Sequence, residues 1–299
     1  MRGRALVLYA LCCVLWGSTW LVIKIGLEDL PPFLFAAARM AIASLVVAPL
    51  AFRSGWPALP KGEWAWLSLV GSLQLGVSYA AVFFAERFIS SGLTATLFCS
   101  YPILVIAFAH LLIVGERATA LHVSSAALGI CGIVLLEGPL IGPVRIDSEA
   151  ALGLLLPLGA AATSALGNVL QKKHLGSVPL GVNLWAQTLI GAIALFALHG
   201  LFEEGQAAHF TPRAMAALLY LAVPGTVITF LALFWLLPRI PLALIGAIPL
   251  IDTLVALVLG ALVLHETIGW RLAVGGGFVL SGAALASRTK LPRAVGNST

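Results

Sequence analysis

Asp252 stands about ten residues into the apolar run 242–264. At 1.5 Å per helical residue that is about 15 Å deep. A charge there costs at least roughly 2.5–3.5 kcal/mol on insertion scales, so it must face a bundle interior or a wet cavity. It could bind a substrate ammonium or carry a proton. The structural alternative is an Asp bonded to neighbouring backbone. Arg39, in the run 33–52, is about 9 Å deep. It could hold a carboxylate in a fork geometry. It could equally pair with Glu86, or with the loop acids Glu28 and Asp29. Lys24 lies close enough to the end of its run to snorkel.

Trp16 and Trp20 are one helical turn apart and share a face. Trp gathers at membrane interfaces, and Trp64, Trp66, Trp235 and Trp270 fit such a belt. Trp16 is nearly mid-run, where its N–H needs a partner; the pair forms either a cavity wall or plain helix packing. Gln74, Tyr79, Ser100 and Tyr101 lie at middle depths. They could orient a ligand or bond helix to helix. Pro102 and Pro224-Gly225 interrupt their runs. Each proline leaves a carbonyl four residues earlier without its helical donor, which makes a hinge, a ligand contact or an ordinary kink. Glu86, Glu116, Glu137 and Glu266 sit at run ends and read as solvated or capping residues.

The elements that must position these residues are apolar stretches of about 20 residues, the length that crosses a hydrocarbon core. In 299 residues, AVILMFWYC make up 61% and DEKR only 10%, with mean hydropathy +1.05. A soluble domain carries nearer a quarter charged residues. The predicted spans are 5–26, 33–52, 64–85, 91–113, 121–141, 152–171, 180–202, 213–237, 242–264 and 268–287. Pro31-Pro32, Pro57, Pro60 and Gly142-Pro143 mark loops, and Pro179, Pro212 and Pro241 start helices. The first span follows Arg2 and Arg4, runs beyond a signal-peptide core and has no A-x-A site, so it reads as a retained helix. Cys12, Cys13, Cys99 and Cys131 lie inside the runs and read as small packing residues. The fold class is all-α integral membrane.

Basic residues set the orientation. With the N-terminus inside, the cytoplasmic face holds Arg2, Arg4, Arg53, Lys61, Arg117, Lys172, Lys173, Arg239, Arg288, Lys290 and Arg293. The other face holds Arg87, Arg145, Arg213 and Arg271. Both termini are therefore expected in the cytoplasm. The 297–299 sequon then falls on the cytoplasmic side and is discounted. The net charge of +5 is explained by these loops, not by nucleic acid.

The two halves look alike. The stretch from Ser100 to Glu116 and that from Leu250 to Glu266 end on a Glu at the same offset, each before a Gly-rich span. Five spans is an odd number, so the second copy must enter the membrane from the opposite side. That is the inverted repeat of many transporters, with the site near mid-membrane. Gly275, Gly276, Gly277, Ser281 and Gly282 give the last span a smooth face for close packing, within a subunit or between subunits of a homo-oligomer.

These residues resemble the EamA-like family of the drug/metabolite transporter superfamily. Leu15-Trp16-Gly17-Ser18 resembles its opening helix. Pro31 to Met40, with the embedded Arg39, resembles its second. Glu86 to Ala95 resembles its third-to-fourth junction, and Val114-Gly115-Glu116-Arg117 the end of its fourth helix. The order and spacing of these stretches carry the resemblance over nearly the whole chain. It implies two five-helix units, 1–142 and 151–290, with a cytoplasmic tail at 291–299, and export of metabolites, amino acids or drugs. The second unit departs where the position matched to Pro102 is Asp252, with Pro249 one turn earlier.

The expected function is a secondary transporter in the plasma (inner) membrane, exporting small, partly apolar metabolites by alternating access. Its energy would come from the substrate gradient or from protons. No GxxxxGK[ST], HExxH or GxSxG occurs, and the six His are scattered, so an enzyme is not expected, nor a cofactor or metal. A channel would show far higher flux. A membrane scaffold or sensor is the alternative that moves no solute.

Overall fold

The computed structural model describes residues 3–53, 55, 58–89, 91–114, 116, 118–137, 148–264 and 270–286, without the side chains of 91, 92, 136, 137, 148–150, 257–264 and 271–273. Arg2, Pro57, Arg117, Gly142-Pro143, Arg145, Glu266, Arg288, Lys290, Arg293 and the tail 291–299 lie outside the described residues.

The first half runs α1 (Gly3–Gly26), α2 (Pro32–Phe52), α3 (Lys61–Gly71), a π-helical segment (Ser72–Val77), α4 (Ser78–Ala85), α5 (Ser91–Phe98), α6 (Tyr101–Leu112) and α7 (Ala120–Glu137). The second runs α8 (Ser148–His174), α9 (Leu180–Phe202), α10 (Pro212–Ala222), a second π segment (Val223–Ile228), α11 (Thr229–Leu236), α12 (Leu242–Gly246), α13 (Ile248–Leu264) and α14 (Trp270–Ala286). Among the described residues, seven helical stretches are long and apolar enough to cross a membrane. Shorter apolar helices, Ala120–Leu135, Leu242–Ala256 and Val274–Ala286, occupy the places of the other three predicted spans.

Proline sets several helix starts. Pro32 and Pro212 open their helices, where a missing N–H costs nothing. Pro60, Pro179 and Pro241 stand one residue before theirs. Large apolar side chains point outward, among them Leu45 at 73% exposure and Leu111 at 75%. A bundle bathed in lipid tolerates this surface, whereas water would not.

The two halves match in detail. The composite helix Lys61–Ala85 has eleven α residues, six π residues and eight α residues, and Pro212–Leu236 repeats those lengths. Next comes a broken helix in each half, interrupted at Cys99-Ser100 and again at Ala247. Pro102 and Pro249 are each the second residue after the break. The breaks therefore match Pro102 to Pro249 and Asp252 to Val105. This differs by one turn from the register that the Ser100–Glu116 and Leu250–Glu266 stretches suggest.

Packing exchanges the halves. α1 lies against α10, α11 and α13 of the second half, while α8 lies against α3, α4 and α6 of the first. α2 packs on α9, and α7 on α14. Gly282 of α14 and Gly132 of α7 serve this last contact inside the chain: a Cβ at Gly282 would come within 2.6 Å of the Ser125 carbonyl, and one at Gly132 within 2.6 Å of the Gly275 carbonyl, whereas Gly276 faces Leu254 of α13. Gly17 likewise lets α1 cross α13, since a Cβ there would lie 2.5 Å from the Asp252 carbonyl.

Candidate functional site

The exchanged packing forms a partly open cavity of about 100 Å³, lined from α1, α2, the first π segment, α4, α5, α6, α8, α11, α12 and α13. Trp16, Trp20, Arg39, Gln74, Tyr79, Tyr101 and Asp252 all line it. Ser100 does not: it sits in the helix break with its Oγ buried and unpartnered among the described residues.

Arg39 is 1% exposed. Its Nε donates to Thr226 Oγ1 at 2.8 Å, and its Nη2 to the Gly225 carbonyl at 3.0 Å and to Tyr79 Oη at 3.5 Å. The guanidinium carbon lies 4.8 Å from the Tyr79 ring centre, a cation–π contact. Its partners are thus neutral. None of the acids weighed as partners in the sequence meets it. Glu28 binds Arg213 at 2.6 Å, Asp29 accepts from Thr211 at 2.6 Å, and Glu86 lies beside Lys24.

The second π segment presents the Gly225 carbonyl. Thr229 N–H, which an α-helix would aim at this oxygen, bonds the Thr226 carbonyl instead, so side-chain donors take its place. The Gly225 oxygen accepts from Trp16 Nε1 at 3.2 Å, from Arg39 and from Thr229 Oγ1 at 2.8 Å. The Trp16 N–H thus finds the partner its depth requires. Thr226 Oγ1 donates to the Leu221 carbonyl at 2.9 Å, which keeps that end of the segment satisfied.

Asp252 is 4% exposed. Its Oδ1 accepts from Trp20 Nε1 at 3.4 Å and Thr253 Oγ1 at 3.5 Å, so its bonds run to side chains. The ion pairs among the described residues are Lys172–Glu116, His199–Glu203 and Arg213–Glu28. Neither Arg39 nor Asp252 belongs to one. Arg39 Nη1 and Asp252 Oδ2 have no hydrogen bond among the described residues.

Opposite them is an amide chain. Gln74 Nε2 donates to Asn168 Oδ1 at 2.9 Å, and Asn168 Nδ2 to Tyr101 Oη at 2.6 Å. Gln74 Oε1 is buried without a partner among the described residues. Aromatic rings fill the walls: Trp16 meets Phe230 edge-on at 5.4 Å, Trp20 meets Phe98 at 5.8 Å, and Phe98 stacks on Tyr101 at 5.7 Å. Asn168, Thr226 and Phe230 went unremarked in the sequence. Asn168 carried a signal, an amide inside an apolar run, whereas Phe230 is one Phe among 14.

Two run-end carboxylates correct the sequence reading. Glu86 is fully buried, and both its carboxylate oxygens lack partners among the described residues. Lys24 does more than snorkel, since its Nζ donates to the Glu86 main-chain carbonyl at 2.7 Å. Glu116 is not free in solvent but paired with Lys172 at 2.7 Å.

A lipid-facing helical bundle packed around a small polar-and-aromatic cavity defines a polytopic membrane protein of the transporter class. The chain belongs to the EamA-like transporter family, which matches residues 3–137 and 151–288. It is 28% identical over 266 residues to the uncharacterized transporter YoaV of Bacillus subtilis, covering 88% of this chain and 89% of that one. It is 28% identical over 289 residues to a probable amino-acid metabolite efflux pump of Escherichia coli, covering 92% of each. The uncharacterized inner membrane transporter YedA of the same species is 27% identical over 277 residues, covering 90% of this chain and 87% of that one. A solved crystal structure shares the fold, with TM-score 0.80 and 22% identity over 96% of this chain and 97% of its own.

Proposed function

We propose that the protein is a secondary transporter exporting small zwitterionic metabolites with an apolar body, amino acids among them, by alternating access. The observation that carries this reading is a pair of unmatched buried charges, Arg39 and Asp252, lining one aromatic cavity. Buried charges are ordinarily paired. A zwitterion supplies both partners, its carboxylate to Arg39 Nη1 and its ammonium to Asp252 Oδ2. Gln74 Oε1 offers a further acceptor, and the rings take the apolar part. The names of the relatives, a probable amino-acid metabolite efflux pump and an inner membrane transporter, support export and the inner membrane.

The cavity, at about 100 Å³, is smaller than the roughly 150 Å³ that admits benzene. An amino acid therefore requires the wall to widen. The π segments and the breaks before Pro102 and Pro249 are where helical bonding is weakest, which supports Pro102, Pro224 and Gly225 as hinges. The reading includes ten membrane helices, five in 1–142 and five inverted in 151–290, with both termini cytoplasmic. Asp252 is also the proposed carrier of a coupling proton.

The test is solute counterflow in proteoliposomes across an amino-acid and metabolite panel, with and without a pH gradient. Exchange of a zwitterion is expected, abolished in Asp252→Asn and weakened for carboxylate-bearing solutes in Arg39→Ala. Transport unchanged in both variants would remove these residues from the site.

A further inference from the structure

A second polar cavity, of about 200 Å³, lies at the other end of the second half, between the ends of α8 and α11 and the start of α9. Gln171, Lys172, Asn183 and Arg239 supply its polar side chains, and no carboxylate lines it among the described residues. Gln171 and Asn183 are 4% and 1% exposed. Their amides are oriented by one neighbour: Gln187 Nε2 donates to Gln171 Oε1 at 2.7 Å and to Asn183 Oδ1 at 2.5 Å. Both side-chain oxygens are thereby occupied. The two NH₂ groups have no hydrogen bond among the described residues.

Two cations complete the lining. Lys172 holds Glu116 at 2.7 Å. Arg239 lies over Trp235, 4.2 Å from its ring centre, with Nη1 on the Trp235 carbonyl at 2.6 Å. Arg4 approaches the same ring at 5.0 Å. Free amide donors and guanidinium donors, with no acid on the described wall, suit an oxoanion.

The repeat gives this arrangement its meaning. Gln187 is the eighth residue of α9, as Arg39 is of α2. Arg39 bonds the second π segment, while Gln187 packs where the first begins: a Cβ at Gly71 would lie 3.0 Å from the Gln187 Cα. One backbone position thus carries a cation in the first half. In the second it carries an amide that turns two further amides toward a cavity of their own.

We propose that this cavity is a second, anion-selective site, taking a carboxylate or phosphate group at the basic end of the bundle. The group belongs either to a free solute or to an anionic lipid headgroup. The assignment rests on donor geometry and stands whether or not the Arg39–Asp252 cavity moves a zwitterion.

The experiment is a thermal-unfolding titration of the full chain in neutral detergent, at constant ionic strength, with inorganic phosphate and with acetate, chloride being the reference. A parallel arm compares nanodiscs of phosphatidylcholine alone with nanodiscs containing phosphatidylglycerol. A saturable stabilisation by phosphate or acetate is expected if a free solute is the source; stabilisation by phosphatidylglycerol alone identifies the lipid headgroup. In either case Arg239→Gln, at an exposed position, should raise the apparent Kd by about tenfold or more, and Asn183→Asp should abolish binding by placing a carboxylate against the anion. The proposal is overturned by absence of stabilisation in both arms, or by an equal response in Arg239→Gln.

Discussion

Arg39 and Asp252 were legible from the sequence because depth alone makes a charge costly. Their partners were not, because partners come from distant helices: Thr226 and Gly225 for the Arg, Trp20 for the Asp. Glu86 shows the opposite failure. Its place at a span end suggested solvent, yet the chain folds over it and leaves both oxygens unpartnered among the described residues. In the turn beyond the span, burial pushes this carboxyl from 4.5 up to about 8, with nearby Lys24 pulling the other way. The sign follows directly. Unfolded, Glu86 loses its proton near 4.5; folded, it keeps it to about 8. The folded state binds the extra proton in between, so its stability is greatest below 4.5 and is lost as pH rises through 8. At 1.36 kcal/mol per unit the effect is at most about 5 kcal/mol. Thermal unfolding from pH 5 to 9 should show the midpoint falling by about 5 °C more in the native chain than in Glu86→Gln. Parallel curves would mean that Glu86 is ionised throughout.

Helices announce themselves in this chain, but their irregularities do not. The prolines at 32, 60, 179, 212 and 241 fix starts that hydropathy leaves vague. The π segments are another matter. Val223–Ile228 contains Pro224-Gly225 and was suspect on sight, whereas Ser72–Val77 has no proline and looks like ordinary apolar helix. Only the matched lengths of the two composite helices reveal it as the counterpart. In the second segment the absence of a Cβ at 225 is what brings Arg39 to the carbonyl. A Cβ there would lie 2.9 Å from Thr19 Cγ2 and 3.3 Å from Arg39 Nη2. Gly225→Ala should therefore displace the guanidinium by a few tenths of an ångström without unfolding the helix. The expected result is a KM raised about tenfold for carboxylate-bearing solutes, with Tm little changed. Gly200→Ala is the control, since nothing lies within 4 Å of its added Cβ. Equal KM values in the two variants would show that the Gly225 carbonyl does not position Arg39.

Over the whole molecule, matched backbone positions hold different chemistry. Six residues before the ends of α1 and α8 stand Trp20 and Asn168; second in α4 and α11 stand Tyr79 and Phe230; first in α6 and α13 stand Tyr101 and Ile248. All six line the central cavity. A symmetric frame thus builds an asymmetric site, with the cation from the first half and the carboxylate from the second. Such a frame suits alternating access, because two related halves can exchange conformations about the site between them. That argument needs the halves to be inverted, and the inversion has a direct consequence. Lys61 opens α3 and Arg213 is the second residue of its counterpart α10. An inverted repeat puts these two helix starts on opposite faces of the membrane, Lys61 in the cytoplasm by the charge bias and Arg213 outside. The four native cysteines are replaced first, Cys131 being the exposed one. Single cysteines are then introduced as Lys61→Cys and Arg213→Cys and challenged with a membrane-impermeant maleimide on intact and on opened cells. Arg213→Cys should label in intact cells, and Lys61→Cys only after opening. Labelling of both from one side would make the halves parallel, and the rocking of inverted repeats could not then be the transport cycle.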